Sequence, residues 1–419
     1  MKHSPGICTN LHAALWLLLL SSLRLAAADA PDPLAPWRAN VRIAPVSPQA
    51  GRHTMHSYFN TCPESPDGRF VLFYSSTAKD GHRGEVCIRN RETGEEKVIA
   101  TNINAEDAHR VACQQWVSGG KRVVFHGERD GEWFVGCVDL DSGKERVLAQ
   151  GELAGWGQPN ADIVPLYGPH WRPGAHRDLE LINVVTGEKQ TPVTVEALKQ
   201  AYPDWFTKTF GDQHPSIFFP ILSPDLQRVF FKMALKTGDD PRSKQASARQ
   251  GLVCYSLAEK RFLFMIPNWG HPSWQPDSRH ITEMHYTVID SNDGRSTPLA
   301  GAAPKPVRAK AAASGDQSVL AAYFQDVSGD HPSVSPDGTL VVTDTTMESF
   351  GGKRTDWGVV LADVHGTGQI VIHQFDNSHG AQSWRPSHPH PVFSPDGKRI
   401  YYNVSEGEFT RLFVAECQR

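Results

Sequence analysis

SPDGRFVLFYSS, Ser65–Ser76, decides the fold because it recurs along the chain. SGGKRVVFHGE (Ser118–Glu128), QPNADIVPLYG (Gln158–Gly168), SPDLQRVFFKM (Ser223–Met233), QPDSRHITEMH (Gln275–His285), SPDGTLVVTDT (Ser335–Thr345) and SPDGKRIYYNVS (Ser394–Ser405) repeat its design, a tight polar turn feeding a strand. Proline presets φ, the Asp side chain can accept from the following backbone amides, and Gly takes the positive φ that closes the turn. The next residues are β-branched and aromatic, the types that suit a pleated surface. Beyond most copies lies a second strand ending in another turn, as in EVCIRNRETGEE, WFVGCVDLDSGKE and LELINVVTGEK. Successive turns start 40 to 65 residues apart, the size of an antiparallel unit of three or four strands with insertions.

A sheet of this size cannot bury both faces alone. Radial packing of like units around an axis solves the problem and shortens the exposed edges. Seven copies therefore predict an all-β, seven-bladed β-propeller of antiparallel four-stranded blades. The last copy, HPVFSPDGKRIYYNVSEGEFTRLFVAE, stops one strand short, and WRANVRIAPVS (Trp37–Ser47) is the segment expected to close the ring by pairing with it. Residues 191–211, 237–250 and the alanine-rich 301–315 interrupt the pattern and read as rim loops or insertions.

Residues 1–30, MKHSPGICTNLHAALWLLLLSSLRLAAADA, combine a positive start, a short apolar run from Ala13 to Leu20 and a small-residue stretch from Ala26 to Ala30. That is the pattern of a secretory signal removed on export, and the apolar run is too short to span a bilayer. The expectation is a periplasmic or secreted protein with one domain over residues 31–419 and no transmembrane segment. A net charge of −4 with 21% charged residues lacks the basic excess of a nucleic-acid binder. Of the six cysteines after Cys8, Cys87, Cys137 and Cys254 sit in apolar runs and are expected to be buried thiols. The sequence carries no signal for oligomeric state.

His-Pro precedes four of the turns: GDQHPSIFFPILSPD, NWGHPSWQPD, SGDHPSVSPDG and SHPHPVFSPDG. His271, His331 and His390 each stand four residues before a turn, at the start of an innermost strand, whereas His214 stands nine before its turn and lies outside that ring. Innermost strands run parallel along the axis, so their first residues converge at one mouth. Neutral imidazole is a common metal ligand, and three such groups from different elements make a site. His388 and His390, two apart, are expected to project to the same side of a strand, and with His271 they form a three-imidazole site. Arg177 and Arg385 supply guanidinium groups suited to a planar carboxylate. His109, His126, Tyr167 and His170 add polar capacity.

NWGHPSW, the terminal HPHPVFSPDGKRIYY blade ending in RLFVAE, and the opening HSYFNTCPESPDG blade resemble oligogalacturonate lyases and related propeller-fold polysaccharide lyases. The resemblance covers most of the chain after residue 30, and HPHP is its specific segment. It implies β-elimination on short, acidic oligogalacturonides with a divalent metal, typically manganese. It implies His271, His388 and His390 as metal ligands, and His214 and Arg177 as the catalytic pair. The family places a metal-binding glutamine three residues before the first His of HPHP, where this chain has Arg385; Gln382 is the nearest amide. Arg385, His331, Gln382 and Tyr167 are therefore the substrate-binding candidates. Two alternatives stay open: an ulvan-type lyase acting on another uronate polymer, and a non-catalytic periplasmic propeller that binds glycan or protein. No G-x-S-x-G or separate α/β region suggests a hydrolase.

Overall fold

The computed structural model describes residues 32–284, 287–299, 330–364 and 368–417. The signal stretch 1–30 and the insertion 301–315 lie outside them. The polar turns form as their chemistry dictates. In the first, the Ser65 hydroxyl donates to Asp67 Oδ1 at 2.6 Å, that oxygen accepts the Arg69 amide at 3.1 Å, and Gly68 has φ +73°. Ser223–Asp225, Ser335–Asp337 and Ser394–Asp396 repeat the hydroxyl–carboxylate contact at 2.6, 2.6 and 2.7 Å.

Each turn joins an inner strand to its neighbour in an all-β arrangement of four-stranded antiparallel units. Four are separate sheets: 153–193, 216–266, 273–298 and 333–376. The other strands form one twelve-stranded sheet, in which the strand Val41–Pro45 pairs antiparallel with Phe409–Cys417, Val41 opposite Cys417 and Pro45 opposite Phe413. Thr54 pairs in parallel with Arg411, so the first unit is stitched to the last. Arg399 reinforces the seam by donating to both carboxylate oxygens of Glu64, at 2.8 and 2.9 Å, in a buried pair. Apolar side chains fill the spaces between neighbouring four-stranded units, as with Leu72 and Tyr74 of the first against Val123 and Phe125 of the next. Cys87, Cys113, Cys137 and Cys254 are buried thiols.

Two of the interruptions, expected as rim loops or insertions, carry regular structure. Residues 191–211 hold two short helices, Val195–Ala201 and Pro203–Phe210. Thr194 caps the first by accepting the Ala197 amide at 3.0 Å, and Pro203 opens the second, where its missing N–H costs nothing. Phe206 and Phe210 bury one helical face against Val229 and Val253. The segment 237–250 also runs into a strand, Ser247–Ser256.

The inner strand of the first unit is broken. His53–Met55 pairs with Tyr74–Ser76, and pairing resumes only at Glu64 with Val71. The residues between run through the centre of the molecule. His56 N–H donates to Asn403 Oδ1 at 3.1 Å, the Ser57 hydroxyl to the Gln114 carbonyl at 2.8 Å and Asn60 Nδ2 to the Pro272 carbonyl at 2.8 Å. Tyr58 packs on His109, Trp156, Phe219, His331 and His390, with ring centroids 4.6 to 6.4 Å away. Phe59 reaches His271 and His331 at 6.4 and 5.1 Å. The two rings thus touch side chains from all the other units.

Candidate metal centre

Around Tyr58, His109, His331, His388 and His390 bring one ring nitrogen each to within 4.8 Å of the others. The His109–His390 and His331–His390 centroids are 4.4 Å apart, and His271 stacks on His331 at 4.5 Å. His331 and His390 directly precede the inner strands Ser333–Val334 and Val392–Phe393. His109 arrives from the connection between Glu96–Asn104 and Gln115–Val117.

Neighbouring acceptors fix which nitrogen each ring presents. Asp344, fully buried on Leu340–Thr346, places Oδ1 and Oδ2 at 2.9 and 3.0 Å from His331 Nδ1. His109 Nδ1 lies 3.3 Å from the Pro386 carbonyl, which can only accept. With Nδ1 protonated in both rings, each Nε2 offers a lone pair. Both Nε2 atoms are buried without a hydrogen-bond partner, as are both nitrogens of His390 and Nδ1 of His271 and His388. Ligating histidines are usually held by such a carboxylate or carbonyl on the far nitrogen. So many buried, unsatisfied imidazole nitrogens fit a cation.

His390 has φ +48°, a region costly for a residue with a Cβ. Its amide donates to Asp344 Oδ2 at 3.0 Å, so one carboxylate both orients His331 and holds the strained residue. This alters the reason expected for the His388–His390 pairing. The strand begins only at Val392, and the rings, 5.9 Å apart, face the same centre through a left-handed kink and not through β alternation.

Burial keeps these rings neutral. It pulls His331 and His388 down to about 3 and His56 to about 4, and holds His109, His271 and His390 well below the usual imidazole range. The Arg385 guanidinium adds to the lowering of His109, His271, His331, His388 and His390. Further positive charge lies alongside. Lys232 Nζ donates to the Gly270 carbonyl beneath the Trp269 ring, and burial brings it down to about 7. Arg110 lies over Phe219 at 5.1 Å and pairs with Glu106 at 3.0 Å, and Arg249 lies over Phe218 at 4.7 Å. Glu106 also meets His170 Nε2 at 3.1 Å, and His170 Nδ1 meets the Ser247 hydroxyl at 2.8 Å.

The remaining expected residues are placed as follows. Arg385 is half-buried beside the imidazoles, whereas Gln382 is exposed, its backbone N–H donating to the Lys79 carbonyl at 2.8 Å. Tyr167 is buried against Phe218, with no partner for its hydroxyl. Arg177 Nε donates to the Pro215 carbonyl at 3.0 Å, one residue from His214. His214 is exposed and makes no ring contact with the other imidazoles. His126 is a structural group whose Nδ1 accepts the Ala154 amide at 2.9 Å. The sequence reading did not single out Asp344, Arg110, Arg249 or Lys232. Asp344 had one signal: an acid in the middle of the apolar run VVTDT.

Two other features lack this chemistry. Glu152, His176 and Glu180 also gather, but Lys189 bridges the two carboxylates and serves as their cation. At the turn end of the molecule a cavity of about 450 Å³ is ringed by Pro66, Pro159, Pro224, Pro276, Pro336 and Pro395, and no imidazole lines it.

The arrangement is that of a β-propeller, and its resemblance to oligogalacturonate lyase structures extends over nine-tenths of the chain. An oligogalacturonate lyase in complex with manganese matches with TM-score 0.59 and 15% identity over 90% of this chain and 93% of that one. The oligogalacturonate lyase of Vibrio parahaemolyticus matches with TM-score 0.58 and 13% identity over 91% and 95%. A prolyl endopeptidase matches at TM-score 0.50 and 12% identity over 97% of this chain but 55% of its own. At such identities the likeness is one of fold. No family model and no curated protein matches the sequence. Among the described residues no helix is long and apolar enough to cross a membrane.

Proposed function

We propose that the protein is a metal-assisted polysaccharide lyase that cleaves uronate-containing oligosaccharides, oligogalacturonides first among them, in the periplasm or outside the cell. In this reading residues 31–419 form one propeller of seven blades, closed by Val41–Pro45, after removal of residues 1–30. The observation that carries the proposal is the group of neutral, buried imidazoles with unsatisfied nitrogens, bordered by Arg110, Arg249, Arg385 and Lys232. A scaffold has no use for such a combination. A metal-assisted enzyme acting on an anion needs both parts.

His109, His331, His388 and His390 would hold the ion, with His271 at its edge. When bound, a divalent ion supplies Lewis-acid stabilisation of the charge that grows on the uronate carboxylate. Manganese is the ion the resemblance implies; an all-nitrogen donor set also suits zinc, iron or nickel. The protein's own groups do the rest. Arg385 grips the planar carboxylate. His214, exposed beside the tethered Arg177, is the base that removes the C5 proton. Arg177, tethered at Pro215, supports the developing enediolate, and the C4 glycosidic oxygen leaves as the double bond forms. His331, Tyr167 and Gln382 are the remaining substrate-facing candidates.

The test is incubation of metal-loaded protein with oligogalacturonides, ulvan and other uronate polymers, following the ultraviolet absorbance of the unsaturated uronide. Product from oligogalacturonides, lost on chelation and in His214→Ala, is the expected result. Absence of product from every uronate polymer, together with no bound divalent metal on elemental analysis, overturns the proposal in favour of a binding module. Full activity of His214→Ala removes that residue from the base role.

A further inference from the structure

We infer that Arg249 is an anion-recognition residue and that the chamber beside the imidazoles receives a sugar carboxylate against its guanidinium. The inference rests on the uronate reading of the site and adds a residue that neither the sequence motifs nor the fold comparison assigned. Arg249 is 9% exposed, and its Nε and Nη2 have no hydrogen-bond partner. Guanidinium nitrogens are obligate donors, and a buried charge without a partner is costly. Its surroundings deepen the deficit. The nearest acid, Glu106, is already engaged by Arg110 at 3.0 Å and by His170 at 3.1 Å. The Phe218 ring holds the guanidinium at 4.7 Å, which fixes its plane but satisfies no N–H. Burial, with repulsion from Arg385 and Arg110, lowers Arg249 to about 9.

The residue is also linked by packing to the imidazole centre. Phe218 stacks on Phe219, Phe219 packs on Tyr58, and Tyr58 touches His109, His331 and His390. A continuous row of rings therefore joins the unpartnered fork to the imidazole centre. A carboxylate is planar and matches the fork with two parallel hydrogen bonds. A neutral sugar hydroxyl supplies one acceptor and no charge.

The experiment compares binding of galacturonate and of neutral galactose to the full-length protein, by calorimetry and thermal shift, for wild type, Arg249→Met and Arg249→Lys. Wild type should bind galacturonate in preference to galactose. Arg249→Met should weaken galacturonate binding roughly tenfold or more, the scale of a charge-assisted pair. It should also leave the Tm of the ligand-free protein unchanged or raised, since an unpaired buried charge has been replaced by an apolar chain of similar length. A merely structural arginine would give a lower Tm and unaltered binding. Arg249→Lys, which keeps charge but loses the fork, should also bind more weakly, and it serves if the methionine variant does not fold. Equal binding in wild type and variants, or no preference for galacturonate in wild type, overturns the inference. Preference without any unsaturated product sinks the lyase reading alone, and product formed with undiminished uronate binding in both variants sinks this inference alone.

Discussion

Asp344→Asn isolates the geometry on which the metal centre depends. The carboxylate has three short contacts: Oδ1 and Oδ2 to His331 Nδ1 at 2.9 and 3.0 Å, and Oδ2 to the His390 amide at 3.0 Å. An amide of the same shape cannot reproduce them. If its oxygen stays on the His390 amide, also 3.0 Å from His331 Nδ1, its NH₂ takes the 2.9 Å position against the ring N–H, which pushes His331 aside or turns its Nε2 lone pair from the centre. If it turns the other way, its NH₂ opposes the His390 amide, donor against donor, at a residue held at φ +48°. Either way one of two ligands is lost or displaced. Substitutions behind ligating histidines typically cost 10- to 100-fold in metal affinity, about 1.4 to 2.8 kcal/mol. Equilibrium dialysis against Mn²⁺ and Zn²⁺ with elemental analysis reads the loss, and circular dichroism establishes that the variant is folded. A folded Asp344→Asn protein with affinity within twofold of wild type refutes the assignment of Asp344 as the group that aims the site.

Further outcomes follow from other parts of the molecule. Glu64→Gln takes the two-point partner from Arg399 at the seam between the first and last units and leaves it Asp396 at 2.9 Å and Glu416 at 3.6 Å, so urea unfolding should show a loss of about 1.5 to 3 kcal/mol; a loss below about 0.5 kcal/mol would mean the seam does not depend on the pair. His126 is held down to about 3, mainly by burial. A depressed histidine contributes stability that is complete above the unfolded value of 6.5 and falls away as pH drops below it, about 2 kcal/mol by pH 5. His126→Gln should flatten that part of the stability–pH curve, and an unchanged slope would show that other groups govern it. If the imidazole centre binds a divalent ion, adding it at about 100 times Kd should stabilise the protein by about 2.7 kcal/mol in a melt, reversibly with chelator; no shift with Mn²⁺, Zn²⁺, Fe²⁺ or Ni²⁺ would leave the centre without a metal role.

The turns and strands were legible because their causes are local. Ser65, Asp67 and Gly68 make the bonds that their types imply, and the apolar run after them has one option once the turn is closed. The convergence of His271, His331 and His390 was legible for a related reason: equal offsets from equal turns map to equal places in a repeated architecture. His109 was harder, since it lies in a connection outside the repeat. Arg110, Arg249 and Lys232 each occupy a strand or loop where a cation ordinarily reads as solvated. Only the packing of distant units shows that they are buried together. Residues 191–211 read only as a rim loop or insertion because two helices of about two turns each leave almost no periodic trace, although Thr194 and Pro203 are proper start signals.

The detour of residues 56–62 has a consequence for traffic. With Tyr58 and Phe59 wedged at the hub against rings from every other unit, the molecule is corked midway and is not an open bore. Among the described residues, Tyr58 and Phe59 stand between the imidazoles and the proline-ringed hollow. If the chain acts on uronate polymers as proposed, a strand would enter and leave on the histidine side of these two rings, which favours short pieces or chain ends over long strands.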